Sequence, residues 1–515
     1  MARQLRYPRA AVASPHYLAS GAGLAVLAEG GNALDAAIAT NLVLGVVTPY
    51  LCGYGGDVFA IVWDGALSGY LGSGRSAAAA SLGETRDRHG GSMPVFGAET
   101  VTVPGAPTGW FDLLERFGTR SFGDLASTAL RYARDGFEVT AAGAVAFDES
   151  RLMYRSFPAW RETYGDVGAG TVLRQPALAR TIEALADGGP DSYYRGPIAD
   201  AIVAAVGEDG GVLAGDDLAS HAGEWAAPLR HRYRDVEVAE LPPPTQGTTA
   251  LEALGILDGF DDLGALDPVE REHLRIEATK LAMSDRDAWL TDPAHMTVDP
   301  TDLLADEWIA ARRRAVDPAR AGMPDPARPQ PGGTAYLCAC DADGLRVSLI
   351  QSNFVHFGSG VHVPEWGINL NNRGFSFSLD DGRANALGPS KRPMHTLIPA
   401  MALRGGTPWL VFGSMGGDAQ VAVHVQALGH VIDEGKDPAD AIAAPRWRID
   451  VGTWDVKLET RAREELRAGL VARGHSVSTT GDYDSGMGHA HAIWTTAGGY
   501  GAASDPRAES AALGL

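Results

Sequence analysis

Between Asp317 and Gly333 the chain carries Pro318, Pro324, Pro326, Pro329 and Pro331 with Gly322, Gly332 and Gly333, and the apolar run Ala335-Tyr336-Leu337-Cys338 follows directly. Proline lacks an amide hydrogen and clashes inside a helix, so this stretch can neither continue a helix nor join a central strand. It predicts an extended, accessible linker that ends where a strand begins. Thr334 stands at that junction. A threonine hydroxyl is a weak nucleophile near neutral pH without a base beside it, and the most economical base is the residue's own α-amine. That amine exists only once the Gly333–Thr334 bond is cut. Gly333 and Thr334 are therefore candidate processing residues, and Thr334 a candidate nucleophile. Read alone, Gly-Gly-Thr before a strand is an ordinary turn, because glycine takes positive φ without steric cost.

Composition narrows the chemistry. A chain of 515 residues with 45% hydrophobic and 21% charged residues is a soluble globular protein, either several domains or one large enzyme core. Its net charge of −21, with no Lys/Arg run, argues against nucleic acid and anionic membranes as partners and leaves small-molecule chemistry. The cysteines are Cys52, Cys338 and Cys340, an odd and sparse set that suits a reducing cytoplasm. Strand alternation puts Cys338 and Cys340 on one face, as packed core residues rather than ligands. The N-terminal stretch has Arg3, Arg6 and Arg9 but no continuous apolar segment before a small-residue cleavage site, which argues against a secretory signal. The apolar run at 36–47 is too short to span a bilayer and reads as a buried helix capped by Asn32.

Helical periodicity is clearest over Asn32 to Val47, Trp110 to Tyr132 with a break at Gly118, and Glu270 to Trp289. Past the linker the texture changes to short strands at Tyr336 to Cys340, Arg346 to Gln351, Gly367 to Asn371 and Trp409 to Phe412. A helix-rich part, 1–333, thus precedes a strand-rich part, 334–515. Strands this apolar need cover on both faces, which the helices can supply.

Eight further motifs occur in order: LAEGGNALDAAIATNLVLGVVTPYLCGYGGDVFAIV, VPGAPTGW, RYARDGF, GSG at 358–360, INLNNR, KRPMHTLIP, GSMGGD and GAASDPR. Together with Gly-Gly-Thr they resemble the γ-glutamyltransferase family of N-terminal-nucleophile hydrolases, over nearly the whole chain. The resemblance implies a four-layer αββα sandwich made as one precursor. It implies self-cleavage into a large subunit, 1–333, and a small subunit, 334–515, that stay together as a heterodimer, with a dimer of heterodimers as a further state. It implies no cofactor and no metal. It also assigns Gly416 and Gly417 as backbone oxyanion donors and Ser352 as the second hydroxyl beside the nucleophile.

Departures from the family pattern bear on the substrate. The γ-glutamyl-cleaving members hold the substrate's α-amino and α-carboxylate groups with an Asn two residues past the second hydroxyl, a Gln and an Asp, and paired serines. This chain has Phe354, then Arg373 and Ser376, then His395-Thr396 at those places. A buried ammonium without a charged partner costs several kcal/mol, so the pocket is expected to refuse an α-amine. Arg373 offers a planar fork suited to a carboxylate, with His395 and Thr396 beside it as substrate-binding candidates. For the family's upstream arginine, Arg75 and Arg86 compete, Arg75 being the leading candidate; His356 is undecided. The segment after Asn372 is short, which predicts an open site. These features resemble the branch containing oxamate hydrolases and glutaryl-type cephalosporin acylases. The expected activity is an amide hydrolase or acyltransferase on a small-molecule amide. Genuine γ-glutamyl transfer or glutathione hydrolysis, oxalyl removal in a natural-product pathway, and an unprocessed non-catalytic scaffold remain as alternatives.

Overall fold

The computed structural model describes residues 5–325 and 327–515; Arg3 and Pro326, used above, lie outside the described residues. The strand after the linker, Gly333–Cys340, pairs antiparallel with Arg346–Phe354, the register shifting between Gly333 and Ala335. These two strands sit at the middle of a seven-stranded sheet, joined by Ala11–Ser14 and Ala511–Gly514 on one side and by Asp57–Trp63, Leu67–Gly72 and Glu224–Ala226 on the other. A second seven-stranded sheet runs in the order Leu5–Tyr7, Gly499–Ala503, Ala490–Thr496, Thr407–Ser414, Ala400–Arg404, Val236–Glu240, Leu229–Tyr233. Each sheet mixes strands from both sides of Thr334, so neither the segment before it nor the one after it carries a complete sheet.

Period-two alternation builds the layers. Tyr336, Cys338 and Cys340 face the second sheet, in a core shared with Phe59 and Ile350 of their own sheet and Met401 and Val411 of the second. Ala335, Leu337 and Ala339 face the other way, into a core made with outer helices such as Ala33–Val47 and Ala106–Phe117. A separate core joins the second sheet to the helices Gly247–Asp258, Pro268–Trp289 and Ala419–Ile432. The result is helix, sheet, sheet, helix: an αββα sandwich. All three cysteines are free and buried, with Cys338 and Cys340 on one face as their spacing predicts.

The helix Ala33–Val47 is buried along its whole length, so its polar residues must find partners inside. Asn32 and Asp35 form the capping box. Asn41 donates from Nδ2 to Gln351 Oε1 at 3.0 Å and accepts from Trp110 Nε1 at 2.7 Å. That pair pins the helix to the strand that carries Ser352. Elsewhere the helix Ala106–Phe117 ends at Gly118, and Pro268–Trp289 covers the third helical pattern. The Gly367–Asn371 pattern shrinks to the two-residue strand Ile368–Asn369, because the chain turns to place Arg373 in a 3-10 turn, Arg373–Ser376. Among the described residues no helix is long and apolar enough to cross a membrane.

Candidate active site

Thr334 is buried, and its Oγ1 donates to Ser352 Oγ at 3.2 Å. Ser352 reaches this point because its strand is the hydrogen-bonded neighbour of the Thr334 strand. Its hydroxyl donates in turn to the carbonyl oxygen of Gly333 at 2.6 Å and accepts from Phe354 N at 2.7 Å. One hydroxyl therefore orients the Thr334 oxygen and polarises the carbonyl that this oxygen would attack. The backbone here is strained: Phe354 has φ +83° and His356 φ +46°. For a bulky residue the left-handed region is costly, and such strain clusters at functional turns.

Arg373 lies against the same hydroxyl, with Nη2 3.4 Å from Ser352 Oγ and Nη1 3.3 Å from Thr396 Oγ1. The guanidinium stacks 3.8 Å from the Phe354 ring centroid, is fully buried, and its Nε has no hydrogen-bond partner. Asp57 Oδ2 is 3.9 Å from that Nε and 3.0 Å from His395 Nε2. His395 Nδ1 accepts from Leu397 N at 3.4 Å, which leaves the Nε2–H to donate to Asp57. Burial dominates the titration of all three. It pushes the Asp57 carboxyl up to about 7 against the pull of Arg373, brings Arg373 down to about 9, and holds His395 well below its ordinary range, hence neutral. Arg373, His395 and Thr396 thus converge as the sequence suggests. Asp57 was given no role from sequence, although a carboxylate opening the apolar strand Asp57–Trp63 is a costly group that signals a buried partner.

The linker is extended and, as expected, accessible over much of its length, with Asp317 to Arg320, Met323, Asp325, Pro329 and Pro331 exposed, but it is also fastened to the fold. Pro324 O accepts from Trp454 Nε1 at 2.8 Å, Ala327 N donates to Val451 O at 3.0 Å, and Arg328 N donates to Asp287 Oδ2. Gln330 N donates to Asp418 Oδ2 at 2.6 Å, while Asp418 N donates back to Gln330 O at 3.1 Å. Fully buried Arg286 binds Asp418, Asp287, Gln246 Oε1 and the Arg328 carbonyl. Arg286 and Asp418 are thus positioning residues that sequence reasoning missed. In the continuous chain these fastenings hold the linker in place as it approaches Thr334.

Gly416 and Gly417 follow the strand Thr407–Ser414 and precede the helix Ala419–Ile432. Their φ values are +137° and +58°, and a Cβ on Gly417 would lie 2.3 Å from Gln330 O and 3.0 Å from Gly332 N. Only glycine fits there. Among the described residues neither glycine amide has an acceptor. Two free donors at a helix N-terminus form a ready oxyanion cradle, although the Gly333 carbonyl itself is held by Ser352.

The structure engages the remaining candidates elsewhere. Arg75 donates to Asp292 Oδ2 at 2.6 Å and to Ser390 O at 3.0 Å and lines a different cavity, so it is not brought to Thr334 or Arg373. Arg86 donates to Leu379 O at 2.9 Å. His356 borders a cavity of about 720 Å³ that also touches Gly333 and Gly416. Ser376 is buried, its Oγ unpartnered, beside a cavity of about 270 Å³ under the linker. His273, Glu277 and His475 have ligand atoms within 4.8 Å of one another. However, the Lys280 ammonium lies 2.9 Å from Glu277 and 3.3 Å from His475, and His273 Nε2 is 2.8 Å from Asp317 O. A cation already fills that cluster, so it does not suit a metal.

Residues 19–515 match the gamma-glutamyltranspeptidase family. The chain is 37% identical to the glutathione hydrolase-like YwrD proenzyme of Bacillus subtilis, covering 98% of each. It is likewise 37% identical to the oxamate amidohydrolase proenzyme of Klebsiella pneumoniae, covering 97% of each. The crystal structure of cephalosporin acylase from Bacillus halodurans superposes with a TM-score of 0.95 at 36% identity, over 100% of this chain and 97% of that one. With its αββα layers, its Gly333–Thr334 junction and its paired glycines, the chain belongs to the γ-glutamyltranspeptidase family of enzymes and is an amide hydrolase of that family.

Proposed function

We propose that this enzyme cuts its own Gly333–Thr334 bond and then uses Thr334 to hydrolyse amides of very short dicarboxylic acids, oxamate-type substrates above all. The observation that carries the substrate reading is Arg373. A buried guanidinium with an unpartnered Nε calls for an anion. Its Nη2 touches Ser352 Oγ, which touches Thr334 Oγ1, so cation and nucleophile are no farther apart than two hydrogen bonds end to end. An oxalyl group, whose carboxylate adjoins the reacting carbonyl, spans that gap extended, whereas a glutaryl chain must fold. Glutathione hydrolysis fits less well. The carboxylate at the pocket, Asp57, already accepts from His395 and from Gly74 N, and Ser376 supplies only a hydroxyl.

Self-cleavage begins with Thr334 Oγ1 attacking the Gly333 carbon while Ser352 donates to the carbonyl oxygen. As the C–N bond breaks, the proton given up by the hydroxyl passes to the Thr334 nitrogen, which becomes the free α-amine, and water then hydrolyses the ester. The freed α-amine, with an ordinary pKa of about 7.7–8.0, then serves as the base for turnover. Gly416 and Gly417 stabilise the oxyanion, a donor there being worth roughly 3–4 kcal/mol. Intact mass should resolve two pieces, the second starting at Thr334, and Thr334→Ala should remain a single inactive chain. A new terminus elsewhere removes Thr334 from the role. For the substrate, oxamate should be cleaved in preference to glutaryl- and γ-glutamyl-p-nitroanilide, and the reverse order rejects the reading of Arg373.

A further inference from the structure

The cavity of about 720 Å³ borders the Gly333–Thr334 junction, walled on one flank by Gly332, Gly333 and Gly416, and Arg373, His395 and Thr396 are not in its lining. Hydrolysis sends the two halves of an amide in opposite directions. Attack forms the Thr334 Oγ–carbon bond, the C–N bond breaks, and the nitrogen leaves with the proton the hydroxyl gave up. With the acyl half on Arg373, the amine half departs into this cavity.

Its chemistry is asymmetric. Tyr50, Leu51, Val145 and Met415 give it an apolar lining. Three carboxylates also line it, those of Glu149, Asp484 and Glu509, and none forms an ion pair among the described residues. Asp484 spends one oxygen on Gly486 N, and Arg507 is neutralised by Glu459 and Asp505, leaving Arg448 as the opposing cation. A second sign is His489, which lies in the wall next to Met415. It is 6% exposed, its Nε2 is 2.8 Å from Ser485 Oγ, and its Nδ1 has no partner. A buried ring nitrogen without a partner marks a position that a ligand's polar group can occupy.

The geometry points to this cavity as the amine-side subsite, selective for amines with an apolar body and a second positive charge. The inference rests on Thr334 as nucleophile for its role in turnover, but the subsite itself can be measured without turnover. Thr334→Ala protein keeps the cavity as it stands here, with Pro331 to Gly333 in its wall. Calorimetry with p-xylylenediamine should give binding that Glu149→Gln/Glu509→Gln weakens by about five- to tenfold, as expected for two partly exposed charges. The uncharged p-methylbenzyl alcohol should bind far more weakly than the diamine. Both glutamates are at the surface or half-buried, so the double variant should fold. In the active enzyme, kcat/KM on N-(p-aminomethylbenzyl)oxamate should exceed that on N-(p-methylbenzyl)oxamate, and the double variant should lose most of that ratio. Absent diamine binding, equal binding by the alcohol, or indifference to the two glutamates overturns the subsite. Glutamate-dependent binding with neither oxamate hydrolysed supports the subsite and rejects the acyl reading instead.

Discussion

The two regions beside the Gly333–Thr334 junction are built on opposite principles. Toward Arg373, Asp57, His395 and Thr396 every side chain is fully buried, and one unpartnered guanidinium nitrogen is the feature left for a ligand. Toward Glu149, Glu509 and His489 the wall encloses about 720 Å³ and is lined by unpaired carboxylates. In a low-dielectric pocket a missing or extra charge costs several kcal/mol, whereas half-exposed charges are screened and contribute tenths. The acyl half should therefore be chosen sharply and the amine half loosely.

The sharpest way to break that contrast is Arg373→Ala. On an oxamate-type substrate it should cost on the order of 2–5 kcal/mol in kcat/KM, the range for truncating one partner of a desolvated charge pair. Amides without a carboxylate should lose little by comparison. Arg373→Lys keeps the charge but not the fork that spans Ser352 and Thr396, so it should recover only part of the loss. Steady-state kinetics on matched substrates decide this, and equal losses on both would mean that Arg373 serves the fold alone.

A smaller effect tests whether the closed side is as dry as its burial implies. The Asp57 carboxyl is raised from 3.8 to about 7, so between those values the native state binds more protons than the unfolded chain. Wild-type stability therefore gains an unfavourable contribution as pH climbs through that window, and the contribution levels off above it. Asparagine does not titrate. The stability difference between Asp57→Asn and wild type should accordingly move toward the variant by on the order of 2–4 kcal/mol from about pH 4 to pH 7, while His395, neutral when folded, takes up its proton in the unfolded chain of both and largely cancels. Denaturant unfolding at several pH values measures it, and a flat difference would mean that water reaches Asp57.

These two residues also mark where the sequence is legible. The junction at Thr334 can be read because prolines and glycines end and a strand starts there, but alone it is an ordinary turn, and it is the resemblance to the family that singles out the hydroxyl. Ser352 comes through the resemblance to the family, and the shared face of Cys338 and Cys340 from alternation alone. Arg373 and His395 are readable through the resemblance to the family. Asp57 is only half so, because the apolar strand it opens signals a buried carboxylate, but its partner His395 is 338 residues away and cannot be named from it. The fastening of the linker is illegible for a related reason. Proline content dictates an extended backbone, but whether that backbone is free depends on Arg286, Trp454 and Asp418, each contributed by a different element. Arg75 shows the converse, since the resemblance to the family suggests a site role while its guanidinium is taken by Asp292.

The smallest expected effect comes from Ser376→Asp, which puts a carboxylate where the γ-glutamyl-cleaving pattern has one. Ser376 Oγ is buried without a partner beside a cavity of about 270 Å³, so the longer side chain has space to enter. Arg328 donates to the Ser376 and Phe377 carbonyls, and its cation would offset part of the new charge. The gain for a substrate ammonium should therefore be modest, about three- to tenfold in the ratio of γ-glutamyl- to glutaryl-p-nitroanilide hydrolysis. Arg328 also belongs to the linker, so self-cleavage must first release it from this cavity for the gain to develop fully. Timed against the appearance of the Thr334 terminus, the ratio should rise as the two pieces form. A ratio that stays at the wild-type value in fully cleaved protein would mean that the acyl group never approaches Ser376, and that the closed side of the site is even shorter than Arg373 makes it.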